Sequence, residues 1–445
     1  MIAFPENLYC DLRIEEIFQT DILIENGETK QNRLRVYTGA LIRIYDGDKW
    51  YYGVTTDIGG LQGEVDKLAA LATPNEQIAS NKVVRKFEVN QETLVKYDNN
   101  SVKVVPRADK LRLIQDYAGL FGNFPEVTMW KAYYKDVYEL KTFISSKGAR
   151  IKYDYQSAAA SLRYNLMAGS KPGQGGKDIV KSDFASLQGF AADYAAEISR
   201  DIAYTRDAVP VKAGCYTCIL APVVTGVFAH ESFGHKSEAD FMIGDETMLK
   251  AWALGTRVGA PELCILDRGD LEGNGYVPFD DDGTRARCNL IIKDGILTGR
   301  LHSAVTAAAL DEDLTGNARA TSFEFEPIVR MTNTYIASGG LTRDELFAGV
   351  EEGIFIEALN HGSGMSTFTI APRRAYMIRG GRIAEPVSIS VISGNVMETL
   401  HNIDGFSDQT ESFSFALGGC GKMEQYPLRV GFGGPYIRVK GIFAQ

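Results

Sequence analysis

Two of the chain's five histidines fall within one hexapeptide, His230-Glu231-Ser232-Phe233-Gly234-His235. An apolar run, Ile219 to Phe228, leads into it, and a polar run, Lys236-Ser237-Glu238-Ala239-Asp240, follows. Imidazole nitrogens are good zinc ligands, and a carboxylate beside them can take a proton from metal-activated water. A hydrolytic metal site is therefore the leading expectation, and the spacing sets a condition on it. In H-E-x-x-H both histidines share one helix face; here one more residue intervenes. On a regular α-helix five residues turn through roughly 500°, which leaves the rings about 140° apart and unable to share an ion. A π-bulge brings residues i and i+5 together, and Gly234 could relax the backbone just before His235. The motif predicts a locally irregular helix. The alternative is a regular helix with two unrelated histidines, one buried and one exposed.

At 445 residues the chain exceeds the usual span of one core, so two or three domains are expected. Hydrophobic residues make up 45% and charged residues 23%, the balance of a soluble globular protein. A net charge of −10 argues against a general nucleic-acid-binding surface. No apolar run reaches spanning length, and Met1 to Asn7 lack a basic segment leading into an apolar one. No membrane partner and a cytoplasmic location are the corresponding expectations. Cys10, Cys215, Cys218, Cys264, Cys288 and Cys420 are sparse, which suits a reduced protein better than a disulfide framework. Cys215-x-x-Cys218 lacks a second pair, and its strand-like neighbours would put the two thiols on opposite faces.

The pattern along the chain predicts an α+β fold. Residues 11–56 alternate in short runs broken at Asn26-Gly27 and Asp46-Gly47-Asp48, the signature of an antiparallel meander. Helical spacing follows over 61–72 and, after a polar passage from Gln91 to Asp109, over 109–121. Strands are expected over Val127 to Ile144 and Ala149 to Tyr155, a flexible loop over 170–177, and a long amphipathic helix over 183–204. The loop is not a phosphate-binding one, since Lys171 and Asp178 stand where glycine and Ser or Thr are required. A boundary near Val209-Pro210 divides an N-terminal α+β domain, 1–208, from a C-terminal domain, 209–445. The first has antiparallel sheets with packed helices in two parts, about 1–90 and 108–208. The second is glycine-rich and β-rich and carries the metal-site helix, with hairpin turns at Lys293-Asp294-Gly295 and Gly380-Gly381 and helices near 303–310 and 342–352.

Two histidines do not complete a catalytic zinc site, which takes three protein ligands and a water. His302, His361, His401, the cysteines, Glu238 and Asp240 are all candidates for the third. Cys420 is set apart by the glycines around it in Gly418-Gly419-Cys420-Gly421-Lys422, with Lys422 placed to favour a thiolate. A small buried hydrophobe is the commoner role of a lone cysteine. Glu238 or Asp240 could orient a ligand imidazole.

Five stretches together resemble the TldD/PmbA family, named modulators of DNA gyrase and containing zinc metallopeptidases. They are His230-Glu231-x-x-x-His235, Phe279-Asp280-Asp281-Asp282-Gly283-Thr284, Thr315-Gly316-Asn317, Met331-Thr332-Asn333-Thr334-Tyr335-Ile336, and Gly418-Gly419-Cys420-Gly421-Lys422. The resemblance covers most of the chain and is densest after residue 210. It implies zinc held by His230, His235 and Cys420, with Glu231 as the catalytic glutamate. It implies the active TldD type, since the PmbA/TldE type lacks the metal motif. It further implies an α+β fold and a homodimer, or a dimer with a related subunit, around an enclosed space that takes small or unfolded peptides. Nothing in the chain resembles a DNA-binding module.

Three other readings compete. His2Cys with Met423 nearby resembles electron-transfer copper, against which the adjacent Glu231 argues. Asp280-x-Asp282-Gly283-Thr284 resembles the nucleophile loop of a phosphatase, but the surrounding antiparallel hairpins are the wrong setting. The third is a non-catalytic partner or scaffold subunit with a structural or absent metal.

Overall fold

In the computed structural model, which describes residues 2–364 and 366–445, β1 (Tyr9–Glu25) and β2 (Glu28–Tyr45) form a long first hairpin. Asn26 and Gly27 turn it with φ of 46° and 88°, positive values that this dipeptide tolerates. β3 (Trp50–Thr55) adds to β2, and α1 (Leu61–Ala69) buries Leu61 and Val65 against Leu12, Ile42 and Ile44. After α2 (Lys82–Lys86) come β4 (Gln91–Leu94) and α3 (Arg107–Gly119). β5 (Val127–Ser145), β6 (Arg150–Ala168) and β7 (Lys171–Lys181) follow, then α4 (Ala191–Asp207). The seven strands make one sheet in the order β3-β2-β1-β5-β6-β4, with β7 sharing the edge of β6 beyond β4. α3 and α4 cover one face, where Ile114, Tyr117, Tyr194 and Ile198 pack on Ala160, Leu162 and Tyr164. The sequence pattern and the structure agree on the first meander and on α1 and α3.

Three expectations are corrected here. Residues 170–177 are not a loop: Lys171 opens β7, which pairs with β6 along its length. The glycines serve packing, since a Cβ on Gly175 would stand 2.2 Å from Asp201 Oδ2 and 2.4 Å from the Tyr164 ring. α4 can settle on that strand only where side chains are missing. The helix expected over 183–204 begins at Ala191, after a turn ended by the positive φ of Gly189, 86°. The polar passage from Gln91 supplies β4, which runs parallel to β6.

The other sheets take all their strands from residue 209 onward. In the largest, five pairings close a ring through Glu352–Gly364, Gly214–Leu220, Ile437–Ala444, Ile392–Asn395, Thr367–Arg379 and back to Glu352–Gly364. Closure leaves those strands few free edges. A second sheet, six-stranded, ends in Asn333–Ile336, Gly431–Gly434 and Glu411–Phe413. α5 (Pro222–Ala229) leaves the ring at Leu220, with Pro222 in its first turn, where a missing N–H goes unneeded. It lies directly on the second sheet, because a Cβ on Gly226 would come within 2.6 Å of Gly433 N. α5 is thus held between the two sheets, and its C-terminal end carries the histidine hexapeptide. Among the described residues no helix is long and apolar enough to cross a membrane.

Charged side chains join the first sheet to the rest. Arg43 pairs with Asp11 and Asp282 at 2.8 Å each; Asp281 takes Lys141 at 2.9 Å and Arg13 at 3.2 Å; Arg429 pairs with Glu139. Asp280 accepts the backbone N–H groups of Asp282, Thr284 and Ala318 at 2.8–3.0 Å. All three aspartates of the turn are buried and committed to protein partners, so none stands free as a nucleophile for phosphoryl transfer.

Candidate metal centre

The helix begun at Pro222 changes pitch where the histidines lie. His230–Gly234 is a π-helical turn, followed by a tighter turn over His235–Ser237. The wider turn compensates the extra residue of H-E-x-x-x-H. The two imidazole centroids stand 5.2 Å apart with their planes at 82°. Gly234 has an ordinary helical backbone, φ −54° and ψ −53°, so conformational freedom is not its role. A Cβ there would meet Met331 Sδ at 2.0 Å, so the glycine admits a neighbouring side chain.

Cys420 reaches the same point from a hairpin 185 residues away. His230, His235 and Cys420 each present a ligand atom, and all of these lie within 4.8 Å of one another. His235 Nε2 lies 3.4 Å from Cys420 Sγ, and its Nδ1 lies 3.2 Å from Glu238 Oε2. Glu238 is itself held by Lys422 at 3.0 Å, and Lys422 also pairs with Asp240 at 2.7 Å. Of the two acids weighed as imidazole partners, Glu238 takes that place and Asp240 serves the lysine. Lys422 spends its charge on these acids rather than on the thiol. Among the remaining third-ligand candidates, His302 is buried elsewhere, bound to Glu312 at 2.9 Å and Thr306 at 3.1 Å. Met423 is 76% exposed, unlike an axial copper ligand, and Cys215 is exposed while Cys218 is buried.

Electrostatics and burial fit a cation here. Burial alone would push the Cys420 thiol up, but the His230 and His235 rings outweigh it and bring the group down to about 4. Burial likewise works against a charged His235, yet Cys420 and Glu238 raise it to about 10. Both ring nitrogens of His230 are buried without a hydrogen-bond partner, a costly state that a metal ion would relieve at one of them. Burial raises the Glu231 carboxyl above the usual range, against the downward pull of the two rings.

Supports for this arrangement explain several motif residues. Arg330, fully buried, donates through Nη2 to Cys420 O at 2.8 Å and through Nη1 to Gln425 O at 3.3 Å, clamping the hairpin that bears the thiol. Its own backbone is fixed on both sides by Asn317, whose Nδ2 also bonds Asp267 at 2.8 Å. Asp267 in turn accepts from Thr332 and Thr334. Sequence reasoning passed over Arg330. Its signal was a lone cation inside the apolar run Ile328-Val329-Arg330-Met331.

The site opens into a cavity of about 330 Å³ whose lining includes His230, Glu231 and Cys420, with His361 also on its wall. Leu359, Asn360, Phe415 and Leu417 also line a neighbouring cavity of about 630 Å³.

Known proteins are similar to this chain along nearly all of its length. The family model described as PmbA/TldA metallopeptidase C-terminal domain matches residues 213–444, and that of PmbA/TldA metallopeptidase domain 1 matches residues 10–72. The chain is 31% identical to a protein of Synechocystis named a metalloprotease, over 98% of this chain and 94% of that one. It is 28% identical to a zinc metalloprotease TldD homolog of Saccharolobus solfataricus, over 97% and 95% respectively. The crystal structure of TldE from Thermococcus kodakarensis has the same fold, with a TM-score of 0.74 at 14% identity, covering 98% of this chain and 96% of that one. With more than half its length matched by one family model and a full-length relative at 31% identity, the chain belongs to the TldD/PmbA family of metallopeptidases.

Proposed function

We propose that this chain is a zinc-dependent peptidase acting on small or unfolded peptides, with His230, His235 and Cys420 as metal ligands and Glu231 as general base. The observation that carries the reading is the convergence of two imidazoles and a thiol at one buried point, with the Glu231 carboxyl on the wall of the same cavity. A zinc ion held there supplies Lewis acidity toward a peptide carbonyl and acidifies water. Glu231, with its basicity raised by burial, accepts the proton of the attacking water and returns it to the leaving amine. Glu238 orients His235 through Nδ1 and is steadied by Lys422, while Arg330 fixes the Cys420 backbone.

Three protein donors favour catalysis over a scaffold role. A structural zinc would take a fourth, and among the described residues the group has three. The two neighbouring cavities also suit an extended peptide. Strand Glu352–Gly364 pairs with Gly214–Leu220 only as far as Ile356, so its edge beyond that point faces the cavities without a strand partner among the described residues. A substrate backbone can add to that edge by ladder hydrogen bonds. Pairing of the chain with itself or with a related subunit is part of the same reading, supported by the shared fold with TldE.

The test is metal removal. Cleavage of an unfolded peptide is expected to vanish on chelation and to return on adding zinc. Undiminished cleavage by metal-depleted protein would overturn the reading.

A further inference from the structure

The cavity beside His230 and Glu231 has an apolar part to its lining, made by Val227, Leu359, Phe415, Leu417, Val430 and Phe432, next to polar residues that include Asn274, His361 and Arg429. Val227 precedes His230 by three residues, and Leu417 precedes Cys420 by three, so part of this lining belongs to the segments that carry the metal centre. Phe415 leans on Phe432 with ring centroids 4.7 Å apart, yet 40% of it remains exposed.

The wall is also held in place. Asn274 Nδ2 donates to Phe415 O at 2.9 Å, and Asn274 Oδ1 accepts from Tyr155 and Ser157 of β6 at 3.0 Å each. Ala416 N donates to Asp178 of β7 at 3.0 Å. The first sheet thus fixes the segment that carries the aromatic and aliphatic groups. Such a surface is formed before anything binds, and it loses little by ordering.

Charged groups on the cavity wall are already engaged. Arg429 is paired with Glu139, and its guanidinium lies 4.3 Å from the Tyr155 ring. Glu231 is the base of the reaction proposed above. An acidic side chain entering here would give up its hydration, and Arg429, the one Lys or Arg among the described lining residues, is already held by Glu139. A lysine would find Glu231, the one acid among the described lining residues, and pairing with it would disable the base.

We propose that this cavity takes one large apolar side chain of the substrate, aromatic or branched aliphatic, next to the cleaved bond. The class of substrate is then peptides with such a residue flanking the scissile bond, selected against acidic ones. This rests on the peptidase reading, and it narrows the selectivity that strand pairing alone would give.

The test uses the full-length, zinc-loaded protein and one peptide frame in which a single residue is Phe, Leu, Ala or Asp, with the cleaved bond located by mass spectrometry. The native protein is expected to cut beside Phe or Leu with kcat/KM about 10–100-fold above that beside Asp. Phe415→Lys changes a 40% exposed side chain outside the metal and base groups. It is expected to keep its zinc while shifting the Phe-to-Asp ratio at least about tenfold toward Asp. Equal kcat/KM across the native series would overturn the inference and leave the peptidase reading standing. An unshifted ratio in Phe415→Lys would overturn it too, by removing this wall from substrate selection. No cleavage of any peptide by the zinc-loaded native protein would overturn both.

Discussion

Replacing Glu231 with Gln is expected to lower kcat/KM for peptide cleavage by about 10²–10⁴-fold, the usual worth of a positioned general base. Metal content should stay as in the native protein. The change keeps the size of the side chain and removes its ability to accept a proton. Glu231 is outside the three converged donors, so the ligand set is untouched. It is half-buried in the wall of the π-helical turn, and burial keeps its basicity above that of an ordinary carboxylate. Steady-state kinetics on one unfolded peptide, alongside elemental analysis, separates the two effects. Activity within a few-fold of native would move the base to another group.

Asp281→Asn is expected to cost about 3–5 kcal/mol of stability, the penalty for breaking a buried ion pair from one side. Arg13 and Lys141 both rest on this carboxylate, which also accepts Ala320 N at 2.8 Å. Without its charge, two buried cations depend on Glu15, with Glu139 also beside Lys141. Burial pushes the Asp281 carboxyl up, but Arg13 and Lys141 outweigh it and hold the group at about 2. Its folded value is below the unfolded one, about 3.9. Its contribution is therefore present above about pH 4 and fades as pH falls toward 2. Asp280, raised well above the usual range by burial and by Asp282, contributes the opposite slope, so the comparison is between variant and native. Urea unfolding at neutral pH measures the loss. A difference below about 1 kcal/mol would mean that the turn does not brace the first sheet against the second half of the chain.

The histidine spacing already required a wider helical turn if both rings were to serve one ion, and the π-helical segment over His230–Gly234 meets that requirement. The early hairpins were equally legible, because Asn26-Gly27 fixes a turn that alternation on both sides then extends. Local signals could not reveal what distant residues ask of a glycine. Gly175 and Gly234 suggested flexibility, but their neighbours are α4 with Tyr164, and Met331, known only once the chain is folded. Glu238 and Asp240 were indistinguishable by spacing, since the choice depends on Lys422, 182 residues beyond Asp240. The acidic run at 280–282 likewise suggested chemistry, until the cations of β1, β2 and β5 showed which charges it neutralises.

The most direct test of the account is metal content per chain in the native protein, His230→Ala and Cys420→Ser, each reconstituted with zinc and freed of excess. The account predicts about one zinc per chain in the native protein, the stoichiometry of a single three-donor site, and loss of the ion in both variants. Zinc retained in Cys420→Ser would take the thiol out of the site. A native protein that binds no metal after reconstitution would contradict the proposed centre and the peptidase built on it.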